Sequence, residues 1–152
     1  MAGGGRPQAV LFACGLNTVR SPMAECMFKH LFGTSVYVAS AGVRKGELDA
    51  FAVAVMEELG LDIAKHRPKT FEELEDWEGL NFDVIISLSP EAHHRALELT
   101  RVLAVEVEYW PVTDPSAVEG SREMRLDAYR RTRDQILARL KARFGAPSGP
   151  SV

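Results

Sequence analysis

Apolar residues in this chain fall into short unbroken runs, and between the runs they recur at helical spacing. The run Ala-Val-Leu-Phe-Ala at 9–13 has no polar residue to alternate with, the mark of a strand buried on both faces of a parallel sheet. Runs at 36–39, 82–87 and 102–107 read as three further strands. The intervening stretches predict helices over 21–32, 49–59, 71–75, 90–100 and 121–144. Ser21-Pro22 opens the first, serine suiting the N-cap and proline the first helical position, and Gly33 suits its stop. Ser89-Pro90 repeats that start for the helix over 90–100, and Gly60 ends the one over 49–59. In the last helix Met124, Ala128, Ile136 and Leu140 fall on the face expected to meet the core. Ser121 with Met124 makes no capping box, but Glu123 favours the helix dipole. Strands alternating with helices predict an α/β domain with a parallel sheet covered on both faces. Such sheets bind ligands beyond the carboxyl ends of their strands.

The length of 152 residues suits one compact domain, expected over 8–145. The Gly-, Pro- and Ser-rich ends, 1–7 and 146–152, are expected to be disordered. A formal net charge of −3 gives no support to a nucleic-acid or membrane-surface partner. Two cysteines, Cys14 and Cys26, do not make a disulfide framework, so the chain reads as a cytoplasmic protein of a reducing compartment. The opening residues lack the apolar core of a targeting signal, and Ala2 breaks the myristoylation pattern. His30, His93 and His94 show no metal-ligand spacing with the cysteines, and no cofactor or metal is expected. Cys26 reads as a small buried hydrophobe on the first helix. Arg130, Arg131 and Arg133, alternating with Asp127 and Asp134, read as a solvated helix face.

The chemistry gathers in Cys14-Gly-Leu-Asn-Thr-Val-Arg20-Ser21-Pro22, which leaves a buried strand and enters a helix. A loop there points consecutive backbone N–H groups at one spot beside the positive end of the helix dipole, forming an anion nest. Gly15 removes a side chain from a crowded turn, and Asn17 tolerates left-handed geometry better than most residues. The expected phosphate-binding set is Gly15, Leu16, Asn17, Thr18, Val19 and Arg20. The planar fork of Arg20 suits two oxygens of a phosphate at once. Cys14 lies beneath that anion, and the groups that bind phosphate also favour a thiolate nucleophile. Ser21 is placed to give the sulfur a hydrogen bond. Asp114, in a loop after the fourth strand, lies near the correct sheet end to serve as general acid, although Asp-Pro is also an ordinary turn former.

At these residues the sequence resembles the low-molecular-weight protein tyrosine phosphatases and the related thioredoxin-coupled arsenate reductases. The likeness is densest over 10–25 and continues through Ser40-Ala41-Gly42, His66, Phe82-Asp83 and Asp114-Pro115. It implies a four-stranded parallel sheet with flavodoxin-like winding. It also implies Cys14 as nucleophile, Arg20 as oxyanion clamp, Asp114 as general acid, Ser21 as thiolate support, and Asn17 as a loop lock held by Ser40 and His66. Three places depart from the family pattern. Val19 stands where eukaryotic-type members carry a second cysteine. Ser116 and Ala117 follow Asp-Pro where many phosphatases carry aromatics. Ser87-Leu88-Ser89-Pro90 holds none of the relay cysteines of the thioredoxin-coupled reductases, although 109–120 looks more like those enzymes.

The function expected is a metal-free phosphomonoesterase with a phosphocysteine intermediate, acting on a phosphorylated protein or a small phosphoester. The alternatives are an arsenate reductase using an external small thiol, a phosphocysteine carrier and a non-catalytic phosphate-binding regulator. Arg20 and Asp114 together argue against the last two, because both promote turnover.

Overall fold

In the computed structural model, which describes residues 7–33 and 35–145, four strands form one parallel sheet. They are β1 (Ala9–Cys14), β2 (Tyr37–Gly42), β3 (Val84–Ser87) and β4 (Glu106–Tyr109), in the order β2-β1-β3-β4. Five helices cover it: α1 (Arg20–Phe32), α2 (Ala50–Glu57), α3 (Phe71–Glu78), α4 (Pro90–Leu99) and α5 (Arg122–Phe144). Alternate side chains of β1 enter opposite layers, as strand geometry requires. Val10, Phe12 and Cys14 join a cluster with α1, α2 and α5, while Leu11 and Ala13 join one with α3 and α4. This is the expected three-layer α/β architecture. The expected disordered ends lie, apart from Pro7, outside the described residues.

Several boundaries differ from expectation, each for a local reason. α1 starts at Arg20 with Val19 as a cap that makes no side-chain bond. Ser21 is therefore inside the helix, and its hydroxyl turns inward to Cys14 and Asn17 instead of capping. β2 continues through Ser40 and Ala41 to Gly42, because those residues pair with Phe12, Ala13 and Cys14. α3 runs to Glu78, started by a capping box in which Thr70 and Glu73 satisfy each other's backbone N–H groups.

The fourth strand begins later than 102. The N–H groups of Arg101, Val102 and Leu103 close back on the carbonyls of Glu98 and Leu99, finishing α4. Leu103 and Val105 still pack on the core, so their apolar character reflects burial without sheet pairing. Sheet pairing starts at Glu106, which donates to the Asp83 carbonyl at 3.0 Å, and runs on to Tyr109.

On α5, Ala128, Ile136 and Leu140 are buried as expected, but Met124 is 56% exposed. Its side chain lies against Gly120 at the helix start, outside the core. Arg133 corrects the expected solvated face: it is buried, and its Nη1 donates to the Val55 carbonyl and to Glu58 Oε1, both at 2.8 Å. Cys26 is half-buried against the first cluster, and burial pushes its thiol pKa up. No described helix is long and apolar enough to cross a membrane.

Candidate active site

Cys14 ends β1 between the carboxyl ends of β2 and β3, and residues 15–19 turn directly into α1. The turn is built around Asn17. Its φ of 59° lies in the left-handed region, which asparagine tolerates. Its side chain is fully buried and fully partnered. Nδ2 donates to Ser21 Oγ at 2.8 Å and to Ser40 Oγ at 3.0 Å. Oδ1 accepts the backbone N–H of Lys69 at 3.0 Å and faces His66 Nε2 at 3.0 Å. An amide oxygen only accepts, so Nε2 of His66 carries the hydrogen. Burial, followed by the nearby Lys69 charge, holds the His66 pKa below its usual value. The Ser40 hydroxyl in turn donates a hydrogen bond to Glu25 Oε1 at 2.6 Å.

Ser21 Oγ lies 2.9 Å from Cys14 Sγ. Because this oxygen already accepts from Asn17, its O–H is available to the sulfur, and a thiolate requires that direction. One asparagine thus fixes both the loop backbone and the hydroxyl under the sulfur. The loop is also backed by the segment after β2. Val43 N–H donates to the Cys14 carbonyl at 3.3 Å and Arg44 N–H to the Gly15 carbonyl at 2.9 Å. Gly42 allows this contact, since a Cβ there would stand 2.4 Å from the Arg44 carbonyl oxygen and 2.9 Å from the Asn17 nitrogen.

In front of the sulfur lies a cavity of about 160 Å³, walled by the loop, Arg20, Arg44, Glu91 and Asp114. Arg20 is seated by backbone carbonyls: Nη1 donates to Val112 O at 2.9 Å and to Leu88 O at 3.5 Å. Its Nη2 lies 3.8 Å from Asp114 Oδ2, and the two side chains are 12% and 47% exposed. Asp114 itself is held by Ser116, whose N–H and hydroxyl both donate to Oδ1, at 2.9 and 2.7 Å. These bonds leave Oδ2 toward Arg20 and the cavity. Among the described residues no three His, Cys, Asp or Glu side chains converge as a metal would need.

The residues expected from sequence divide into two groups. Cys14, Gly15, Leu16, Thr18, Val19, Arg20 and Asp114 line the cavity, while Asn17, Ser21, Ser40 and His66 form the network behind it. Asn17 therefore shapes the cup without presenting its side chain to it. Sequence reasoning missed Glu25 and the Lys69 amide behind the loop, the Leu88 and Val112 carbonyls that seat Arg20, and Glu91 at the mouth. Only Glu91 carried a signal, as an acidic residue in the first turn of a helix entered from a strand's carboxyl end.

A family model described as low molecular weight phosphotyrosine protein phosphatase matches residues 9–145. The chain is 34% identical over 133 residues to an arsenate reductase of Shouchella clausii, covering 87% of this chain and 91% of that one. Its fold is similar to that of an arsenate reductase solved in a phosphate-binding state, with a TM-score of 0.69, 28% identity, and 93% and 99% of the two chains covered. It is also similar to a low molecular weight protein tyrosine phosphatase from T. tengcongensis, with a TM-score of 0.70, 27% identity, and 88% and 95% covered.

Proposed function

The chain belongs to the low molecular weight phosphotyrosine protein phosphatase family of cysteine-based enzymes, and we propose that it is a metal-free phosphomonoesterase working through a phosphocysteine intermediate. One observation carries this reading. Asp114 and Arg20 converge on the same small cavity whose floor is the Cys14 sulfur. Storage of a phosphoryl group needs a nucleophile and an anion cup, whereas turnover also needs a proton donor, and Asp114 supplies it.

In the first step the Cys14 thiolate attacks phosphorus. The S–P bond forms, the ester O–P bond breaks, and Asp114 gives its proton to the leaving oxygen. In the second step Asp114 takes a proton from water, which attacks the phosphocysteine and releases inorganic phosphate and the thiolate. Arg20 and the loop amides hold the equatorial oxygens through both steps, where charge builds up. Ser21 stabilises the sulfur as nucleophile and as leaving group.

A second reading is favoured by the arsenate reductase of Shouchella clausii, to which the chain is 34% identical. Arsenate copies phosphate in charge and shape. Reduction needs two electrons, and the chain offers only Cys14 in the cavity, with Cys26 on α1. The second electron must then come from an external small thiol, leaving a mixed disulfide on Cys14.

Phosphate release from p-nitrophenyl phosphate and thiol-dependent arsenite formation, measured side by side, decide between the two. Cys14→Ser is expected to abolish either activity. Asp114→Asn is expected to slow esters with poor leaving groups by about 10²–10⁴-fold, and p-nitrophenyl phosphate much less. Unchanged rates for every ester in Asp114→Asn would show that the acid lies elsewhere. Arsenite without phosphate release would replace the first reading by the second.

A further inference from the structure

The mouth of the cavity carries a charge arrangement that ester hydrolysis does not use. Glu91 stands in the first turn of α4, after the Ser89 cap and Pro90, and its Oε1 lies 3.1 Å from where a Cβ on Gly15 would be. A carboxylate is therefore held against the first peptide of a loop shaped for an anion. Arg44 covers its charge with a two-pronged contact, Nη2 to Oε1 at 2.7 Å and Nε to Oε2 at 3.2 Å. The two residues come from opposite sides of β1, Arg44 after β2 and Glu91 after β3, and meet only across the opening.

Two features make Arg44 the partner that can exchange. Its backbone is fastened to the loop through the Gly15 carbonyl, so its side chain starts at the cavity rim whatever its guanidinium holds. The pair is also open to water, with side chains 62% and 44% exposed, and such ion pairs contribute little stability. Glu91 remains favourable without its partner, because the first turn of a helix prefers a carboxylate. An anionic group entering the mouth can take the guanidinium from Glu91 at small cost, and the arginine fork suits a carboxylate or a phosphate.

We propose that Arg44 is a specificity-determining residue that reads a second negative charge on the substrate, a carboxylate or further phosphate beside the phosphoryl group held over Cys14. Glu91 holds the guanidinium until such a group competes for it. This rests on the reading of the loop as an oxyanion cup. Bare phosphate or arsenate fills the cup and leaves the pair intact.

The test is calorimetric binding of phenylphosphonate and 3-carboxyphenylphosphonate, neither of which turns over, to the wild type, Arg44→Gln and Glu91→Gln. Hydrolysis of the matching phosphates is followed in parallel. The wild type is expected to bind the carboxylated compound about 3–5-fold more tightly, the range of an exposed charge pair. Arg44→Gln is expected to bring the ratio to one, and Glu91→Gln to raise it. Equal or reversed affinities in the wild type, or a preference that survives Arg44→Gln, overturn the proposal alone. No binding of either compound overturns it together with the oxyanion cup. The expected ratios in a protein that hydrolyses no ester uphold it while removing the phosphatase reading.

Discussion

Gly42 shows how one missing side chain shapes the site. Its φ is unremarkable, so what it supplies is space: the backbones of 42–44 and of the Cys14 loop lie in direct contact there. Gly42→Ala would put a methyl group 2.4 Å from one backbone atom and 2.9 Å from two others, and none can retreat as a flexible side chain would. The expected cost is that of overpacking, about 1–3 kcal/mol, seen as a lower urea midpoint together with weaker phosphate binding. A variant with an unchanged midpoint and full phosphate affinity would show that the two segments can separate freely. Asn17 works differently, since its value lies in four hydrogen-bonding positions all used at once. The sequence marked Asn17 as a turn residue. Besides Ser21, its partners come from 40, 66 and 69, too far along the chain for a local pattern to connect; the family resemblance implied Ser40 and His66, and only the fold brought in the Lys69 amide.

At the scale of elements, α5 ties together the layer behind the site. Tyr129 donates to Asp49 Oδ2 at 2.6 Å; burial and this bond push its phenol pKa well above the ordinary value. Asp49 caps α2 and also gives its N–H to the Thr18 carbonyl at 3.3 Å, so the helix reaches the loop through one residue. Thr132 Oγ1 donates to the Thr113 carbonyl at 3.3 Å, bracing the segment that carries Asp114. Arg133 closes the α2 contact, and Arg133→Ala would leave the Val55 carbonyl without this charged donor. Such hydrogen bonds contribute about 1.5–3 kcal/mol, so chemical denaturation is expected to show a loss in that range. Arg131→Ala, on an exposed neighbour, is expected to fall within about 0.5 kcal/mol of the wild type. Equal effects from the two variants would mean that the buried arginine contributes no more than a solvated one.

For the molecule as a whole, the site couples stability to pH through His66. Its pKa is lowered on folding, so between that value and the ordinary one, near 6.5, the unfolded chain binds more protons. The stabilisation is therefore complete above about pH 6.5 and is lost as pH falls toward the folded-state value. Unfolding free energy measured from pH 8 to pH 5 is expected to decline more steeply in the wild type than in His66→Gln. Parallel curves would show that this histidine titrates alike in both states.

What the sequence determined by itself was whatever depends on near neighbours along the chain. Unbroken apolar runs and helical spacing set the layers, Ser89-Pro90 set a helix start, and Cys14 to Arg20 fit on one turn whose ends a strand and a helix define. Asp114 was legible as the acidic residue of a loop at the correct sheet end. Tertiary structure alone decided the rest. Ser21, expected both to cap the first helix and to support the sulfur, was committed to the sulfur alone because Asn17 reached it across the loop, and Arg133 was buried because α2 presented a carbonyl to it. Leu103 and Val105 packed without pairing because the Leu103 amide had returned to Leu99 of α4 and the Val105 amide to the Leu103 carbonyl. In each case a polar group's fate was set by which partner the fold brought within 3 Å, and side-chain pattern carries no record of that.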